Sequence, residues 1–346
     1  MFDFLRREAK ASPARRLVAL HYGRDPVWTS ADPSAGVRAF SANAVAHRCV
    51  KLIAEGAAAA EWRASAPAAR ALLQAANPDQ SGAELFEALF GHLLLTGNAY
   101  LELVEIEGAP RELHVLRPDR MRVLPGPRGW PDGWEYSVGG RKARYLRDRA
   151  SGRSPILHMR LFHPEDDHYG LSPLRAAGSA VDLHAAAGGW AKALLDNAAR
   201  PSGALIFSGG EGARLSDEQF ERLRAELAEA HSGVANAGRP LLLEGGLDWK
   251  PMALSPADMD FIEARREAAR EIALALGVPP LLLGLPGDNT YANYREANLA
   301  FARSTLSPLI AKTARALIGW LRPWFGEGLT VEAALAPDSL VSEEAA

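Results

Sequence analysis

The densest set of groups able to do chemistry lies in HPEDDHYG, where His163, Glu165, Asp166, Asp167 and His168 follow one another closely. Imidazoles and carboxylates together can share a divalent cation, so a metal-dependent hydrolase using His163, Glu165, Asp167 and His168 is one expectation to weigh. Three features speak against it. The spacing matches no helical two-histidine motif, no second cluster offers further ligands, and the loop runs directly into Ser172-Pro173, a helix start whose positive end favours solvated carboxylates nearby. SGGEG at 208–212 lacks the lysine and hydroxyl that complete a phosphate loop, and it reads as a turn. No GxSxG elbow and no Ser-His-Asp signature occurs. Nothing in these residue types argues for catalysis or for a cofactor.

The informative stretch is instead Ser255 to Trp320. Ser255 as N-cap, Pro256 at the first helical position and Asp258 open a helix whose apolar stripe is Phe261, Ala264, Ala268, Ile272 and Leu276. Glu263, Arg266, Glu267, Arg270 and Glu271 fill its other faces. Gly277 ends it, and Pro279 and Pro280 forbid continuation. Leu281, Leu282, Leu283 and Leu285 follow in a segment that Pro280, Gly284, Pro286 and Gly287 should keep from being helical. An apolar loop of this kind needs a covering surface. Asp288, Asn289 or Thr290 then caps a second long helix traced by Tyr291, Tyr294, Leu299, Ala302, Leu306, Leu309 and Leu317, with a kink expected at Pro308.

The chain has 346 residues, 48% hydrophobic and 23% charged, with a net charge of -3. That is enough for two or three compact units, and it excludes a generally basic nucleic-acid binder. The single Cys49 rules out an intramolecular disulfide and a cysteine-based zinc site, which makes a reducing compartment the expectation; its place on an apolar stripe suggests simple packing. No apolar run approaches the roughly 20 residues that span a bilayer, and the N-terminus has no apolar core of the signal-peptide type, so neither membrane anchor nor export signal is expected.

Residues 1–36 read as a loosely ordered arm. A helix from about Ser41, a helix opened by a Ser81/Glu84 capping box and closed by Gly97, and six strand-like runs follow: Tyr100–Ile106, Glu112–Leu116, Met121–Leu124, Trp134–Val138, Arg144–Leu146 and Ile156–Met159. Helices and strands segregated in this way predict an α+β fold. A long helix spans about 172–197. Residues 201–254 form a small module inserted between two long helices, with strands at Ala204–Phe207 and Leu247–Met252 and a helix boxed by Ser216 and Gln219. From 327 onward the chain carries acid and no base, which reads as an acidic tail.

Several segments, in order, resemble the portal proteins of tailed bacteriophages of the Hong Kong phage type, including those of gene transfer agents. They are AVAHRCVKLIAEGAAAAEW, ANPDQSGAELFEALFGHLLLTGNAYLELV, LHVLRPDRMRV, ILHMRLFHPEDDHYGLSPLRAA and DNAARPSGALIF, within a resemblance covering about residues 40–320. The family usually has a small or glycine-bearing loop before Gly-Leu-Ser-Pro, where this chain has HPEDDHY. The resemblance implies a non-enzymatic ring, typically of twelve subunits, at one capsid vertex. Residues 37–170 would be the wing, 171–200 and 255–276 the stem helices and 201–254 the clip. Residues 277–290 would be the tunnel loop, 291–322 the tunnel helix and the base of the wing and crown, and 323–346 a short acidic tail.

The implied partners are the terminase large subunit, a head-to-tail adaptor, the major capsid protein and double-stranded DNA passing without sequence specificity, all in a virion or gene transfer agent particle made in the bacterial cytoplasm. On that basis Leu281, Leu282, Leu283, Leu285, Asp288, Asn289, Thr290, Tyr291 and Asn293 would edge the channel, while Glu218, Glu221 and Arg222 would dock motor or adaptor. A non-viral ring scaffold is the other alternative. A packaging channel must not grip DNA, and from Gly277 to Tyr294 the only formal charge is Asp288.

Overall fold

The computed structural model describes residues 34–127, 129–196, 203–207, 216, 218–219, 221–222, 225, 247–251, 261–285 and 291–335. The chain divides into two compact units, 1–178 with 272–346, and 179–271.

The first unit begins with α1 (Ser34–Ala42) and α2 (Ala44–Ala58). Asn43 caps α2, its Oδ1 accepting from Val45 N at 3.0 Å and Ala46 N at 3.2 Å. The helix expected from Ser41 therefore starts at Ala44, and a separate helix precedes it, overlapping the expected arm. Cys49 lies on the buried side of α2, and burial pushes its thiol up to about 12, which keeps it protonated and inert. Next come β1 (Glu61–Ala64), α3 (Pro67–Gln74), β2 (Ala75–Asn77) and β3 (Gln80–Ser81), then α4 (Gly82–Thr96). The predicted capping box is present: Ser81 N donates to Glu84 Oε2 at 2.8 Å and Glu84 N donates to Ser81 Oγ at 3.3 Å. Leu85, Phe86, Leu89, Phe90 and Leu93 are buried, and α4 packs on α2.

All six expected strands occur, as β4 (Asn98–Ile106), β5 (Ala109–Leu116), β6 (Met121–Pro125), β7 (Pro131–Val138), β8 (Arg141–Leu146) and β9 (Ile156–Arg160). They form two antiparallel three-stranded sheets, ordered β5-β4-β9 and β6-β7-β8. Met121, Val123 and Trp134 from the second sheet share one core with Tyr100, Leu116, Ile156 and Tyr169. His158 stacks on Tyr100 at 4.2 Å, and its Nε2 is 3.1 Å from Asn98 Oδ1. Burial first, then the Arg160 and Arg147 cations and His168, push this imidazole down from 6.5 to about 3.

Beyond β9, Ser172 caps α5 (Pro173–Ala176), accepting from Leu174 N at 3.2 Å. The long helix predicted over 172–197 is interrupted, because Ala177 leaves helical geometry before α6 (Gly178–Asp196) begins. In the second unit the two expected strands occur as β10 (Gly203–Phe207) and β11 (Leu247–Pro251), which pair antiparallel. The strand expected around Leu241–Glu244, the glycine loop at 208–212 and the Ser255 cap lie outside the described residues.

The chain then forms α7 (Phe261–Leu276), α8 (Tyr291–Phe301), a turn of π-helix (Ala302–Leu306), α9 (Ser307–Phe325) and β12 (Val331–Ala334). The expected tail from 323 needs correcting. Residues 323–325 are helical, and β12 pairs with β1, Val331 opposite Ala64 through Ala334 opposite Glu61. Alternating burial of Val331 and Ala333 against β1 supplies what the acidic composition hid.

Below 6.5 the unfolded chain takes up a proton on His158 that the folded chain refuses until about 3, so stability falls as pH drops through that window and is regained on return to neutrality. His158→Phe, which keeps a ring against Tyr100, should flatten this acid limb when melting temperature is followed against pH. An unchanged slope would remove His158 as its source.

Candidate channel site

The helix that leads into the leucine-rich segment is amphipathic as predicted. Ala268, Ile272 and Leu276 are buried, as are Ala269 and Ala273. On its outer surface Arg266 and Arg270 lie 3.4 Å and 3.8 Å from Glu263, and Arg270 also pairs with Glu267. The face thus spends its charges on itself.

Gly277 closes α7 with φ +68, a left-handed conformation that Cβ disfavours. Its N–H bonds Leu274 O at 3.0 Å, and Val278 N bonds Ala273 O at 2.9 Å, so the last carbonyls are satisfied. Thr305 Oγ1 donates to Gly277 O at 2.6 Å, and a Cβ on Gly277 would sit 2.9 Å from that same hydroxyl.

The expectation of a non-helical leucine loop is overturned over Pro280–Leu283, which form a single 3-10 turn. Proline is tolerated at the start of such a turn, where its missing N–H has no intrahelical use. Leu282 N bonds Pro279 O at 3.0 Å, Gly284 N bonds Leu281 O at 3.2 Å, and Gly284 ends the turn at φ +69. Leu281, Leu282, Leu283 and Leu285 are all half-buried. Asp288, Asn289 and Thr290 lie outside the described residues. Tyr291 begins α8, and Asn293 and Tyr294 are exposed on it. The structure therefore brings the four leucines together ahead of α8.

Where a kink is predicted at Pro308, the helix carries a π-turn over the preceding Ala302–Leu306, with Ser307 N bonded to Ala302 O. Pro308 has no N–H to give the carbonyl of Ser304 and its ring would crowd that carbonyl; a widened turn absorbs both. Thr305 and Lys312 were not singled out in the sequence, yet both anchor this region. Lys312 Nζ donates to Arg160 O at 2.6 Å, and burial, then Arg160, lowers its pKa. A polar residue on an otherwise apolar helical stripe, as at Thr305, was the available signal.

The HPEDDHY loop turns its groups on itself. Asp166 Oδ1 accepts from His168 N at 2.8 Å and Tyr169 N at 3.0 Å, His163 Nδ1 accepts from Glu165 N at 3.1 Å, and Asp167 O accepts from Arg160. Among the described residues no group of three or more His, Cys, Asp or Glu is placed to hold a metal ion. The hydrolase alternative thereby loses its ligand set. In the second unit Ser216 and Gln219 make the reciprocal cap, at 3.0 Å and 3.2 Å, and Glu218, Glu221 and Arg222 are exposed and helical.

With these elements in place, comparison with known proteins is decisive. The family described as phage portal protein matches residues 44–343. The chain belongs to the phage portal protein family. This family supplies structural components rather than enzymes. The chain is 53% identical to a protein in the neck of a native gene transfer agent particle computed with C12 symmetry, covering 94% of this chain and 90% of that one, with a TM-score of 0.74. An uncharacterised protein of Rickettsia bellii is 42% identical over 307 residues, 86% of this chain and 79% of its own. The portal protein of Enterobacteria phage HK97 is 26% identical over 265 residues, 75% of this chain and 59% of its own.

For this portal protein, Gly277→Ala should cost about 1–2 kcal/mol, the penalty of a left-handed residue bearing Cβ, whereas Thr305→Ser, which keeps the hydroxyl, should be nearly neutral. Denaturant unfolding of the two variants checks the pair; a tolerated alanine would mean that the turn relaxes.

Proposed function

We propose that twelve copies of this chain form the portal ring at one vertex of a gene transfer agent-type particle, through which double-stranded DNA is packaged and ejected. The observation that carries this reading is the 53% identity, along nearly the whole chain, to a component of a C12 neck. In this reading residues 37–170 are the wing, 171–200 and 255–276 the stem, 201–254 the clip, and 277–290 with the start of α8 the lip of the channel. The segment around the four leucines, whose one formal charge is Asp288, supports the last assignment. In a ring, neighbouring copies can cover leucines that one chain leaves half-buried, while neutral side chains such as Asn289, Thr290 and Asn293 touch the DNA backbone without the attraction that a lysine ring would add.

Negative-stain images or particle mass test the ring directly: a closed ring with a central hole is expected, and a compact dimer inside assembled particles would refute it. Asn289→Arg with Asn293→Arg should reduce packaged DNA per particle several-fold while leaving the ring intact. Undiminished packaging would move the lip elsewhere.

The exposed carboxylates Glu218 and Glu221 beside Arg222 support a clip surface that meets the terminase large subunit during packaging and a head-to-tail adaptor afterwards. Reversing all three charges should weaken co-purification with the motor, and intact binding would exclude this helix face. The wing, on this reading, contacts the major capsid protein.

A further inference from the structure

Charge is very unevenly spread along the chain. Residues 117–153 hold nine arginines and one lysine against four acidic residues, giving +6 in a chain whose net charge is -3, so the remainder carries -9. That stretch contains the whole β6-β7-β8 sheet. One face of the sheet, with Met121, Val123 and Trp134, is core. Strand alternation puts Arg122, Glu135 and Arg144 on the opposite face, in one row, since Arg122 pairs with Glu135 and Glu135 with Arg144. Lys142 lies two residues along β8, on the same face.

Glu135 is the acidic residue of this row and is 6% exposed. It already accepts from Lys142 at 2.9 Å and Arg144 at 3.2 Å, which holds its carboxyl below the usual range. Both cations remain open to solvent, with side chains 57% and 69% exposed. Arg122, on β6, is exposed in the same row, whereas Arg141, paired with Val138, falls on the other face by the same alternation. The sheet therefore presents more cation than its own carboxylate can neutralise.

We propose that this outward face is a contact surface for the backbone of double-stranded DNA, separate from the channel lip. The proposal rests on the portal reading only for the identity of the polyanion. Three observations favour DNA. Two of the three cations on this face, Arg122 and Arg144, are arginine, whose planar fork meets phosphate oxygens in pairs. A flat, rigid sheet face suits backbone contact, which needs no pocket. The chain also segregates its charge, keeping the lip stretch almost neutral while concentrating base here. Lys and Arg on edge strands also deter strand pairing between molecules, a role that either sign of charge would fill.

The test uses the full-length protein in its ring form with relaxed closed-circular plasmid, which cannot thread a closed ring, and measures co-sedimentation across a salt series. The wild type should retain plasmid at low salt. The triple variant Arg122→Gln, Lys142→Gln, Arg144→Gln should bind roughly tenfold or more weakly, with the salt slope reduced by about 2–3. Arg48→Gln, Arg63→Gln, Arg111→Gln, which removes as many exposed cations from α2, β1 and β5, should leave it unchanged. Arg122→Gln alone leaves Glu135 and both its cations in place and should reduce the salt slope by about 1, so misfolding of the triple variant cannot hide the answer. No retention by the wild type, an unchanged salt slope for Arg122→Gln, or displacement of plasmid by poly-glutamate at equal charge would overturn the proposal, the last in favour of an acidic protein. Plasmid retention by a protein that forms no ring would count against the portal reading instead.

Discussion

A single buried carboxamide ties the first unit together. The Asn98 side chain is wholly enclosed, and a primary amide so placed must find partners or cost several kcal/mol. It finds them on three segments. Its Oδ1 accepts from Gly170 N at 2.8 Å and lies 3.1 Å from His158 Nε2, and its Nδ2 donates to Thr96 O at 3.0 Å and Gly170 O at 3.3 Å. These bonds exist together only if the end of α4, strand β9 and the approach to α5 converge. Gly170 permits it, since a Cβ there would lie 2.0 Å from Gly97 O. Ser172 Oγ then reaches Leu94 O at 2.7 Å, so the cap of α5 is also a clamp on α4. The acidic HPEDDHY loop is what remains between Leu161, bonded to Gly97 O at 2.8 Å, and Gly170. Its length and turn chemistry follow from spanning two points already pinned, and the His163 and Asp166 side chains, part of the cluster weighed as a metal set, accept hydrogen bonds from the loop's own backbone.

Legibility from sequence followed the range of the interactions concerned. The Ser81–Glu84 box, the Gly97 and Gly277 terminators and all six strands are written in neighbouring residues and appear where expected. Failures came where a distant partner decides. β1 is four residues long and β12 is acidic; each is a strand because of the other, across more than 260 residues. The break at Ala177 and the π-turn ahead of Pro308 are backbone accommodations that composition does not announce. At the channel site, the grouping of the leucines was readable because prolines and glycines bracket them. Their 3-10 turn was not, because proline at a helix start and proline as a helix breaker look alike until the hydrogen bonds are placed. Thr305 was missed because its role depends on Gly277, far away in sequence.

These long-range bonds decide how the leucine turn is held. The turn of leucines hangs on Gly277, whose carbonyl is bonded by Thr305 inside the π-turn. From there α9 runs rigidly to Lys312, which grips Arg160 O at the end of β9, and to Trp320, whose Nε1 donates to Ser154 O at 2.7 Å just before β9 begins. Beyond α9, β12 closes on β1. A helix seated by hydrogen bonds at both ends of one strand cannot rotate about its axis without breaking one of them, so the cheap displacement lies at its near end. There the π-turn offers a widened, weaker ladder. Movement of the leucine turn is therefore absorbed first by the π-turn and the single Thr305 bond, while the two sheets keep their register. On the proposed reading of the turn as a channel lip, that arrangement suits an edge that yields as a helical polymer passes and then returns to one position.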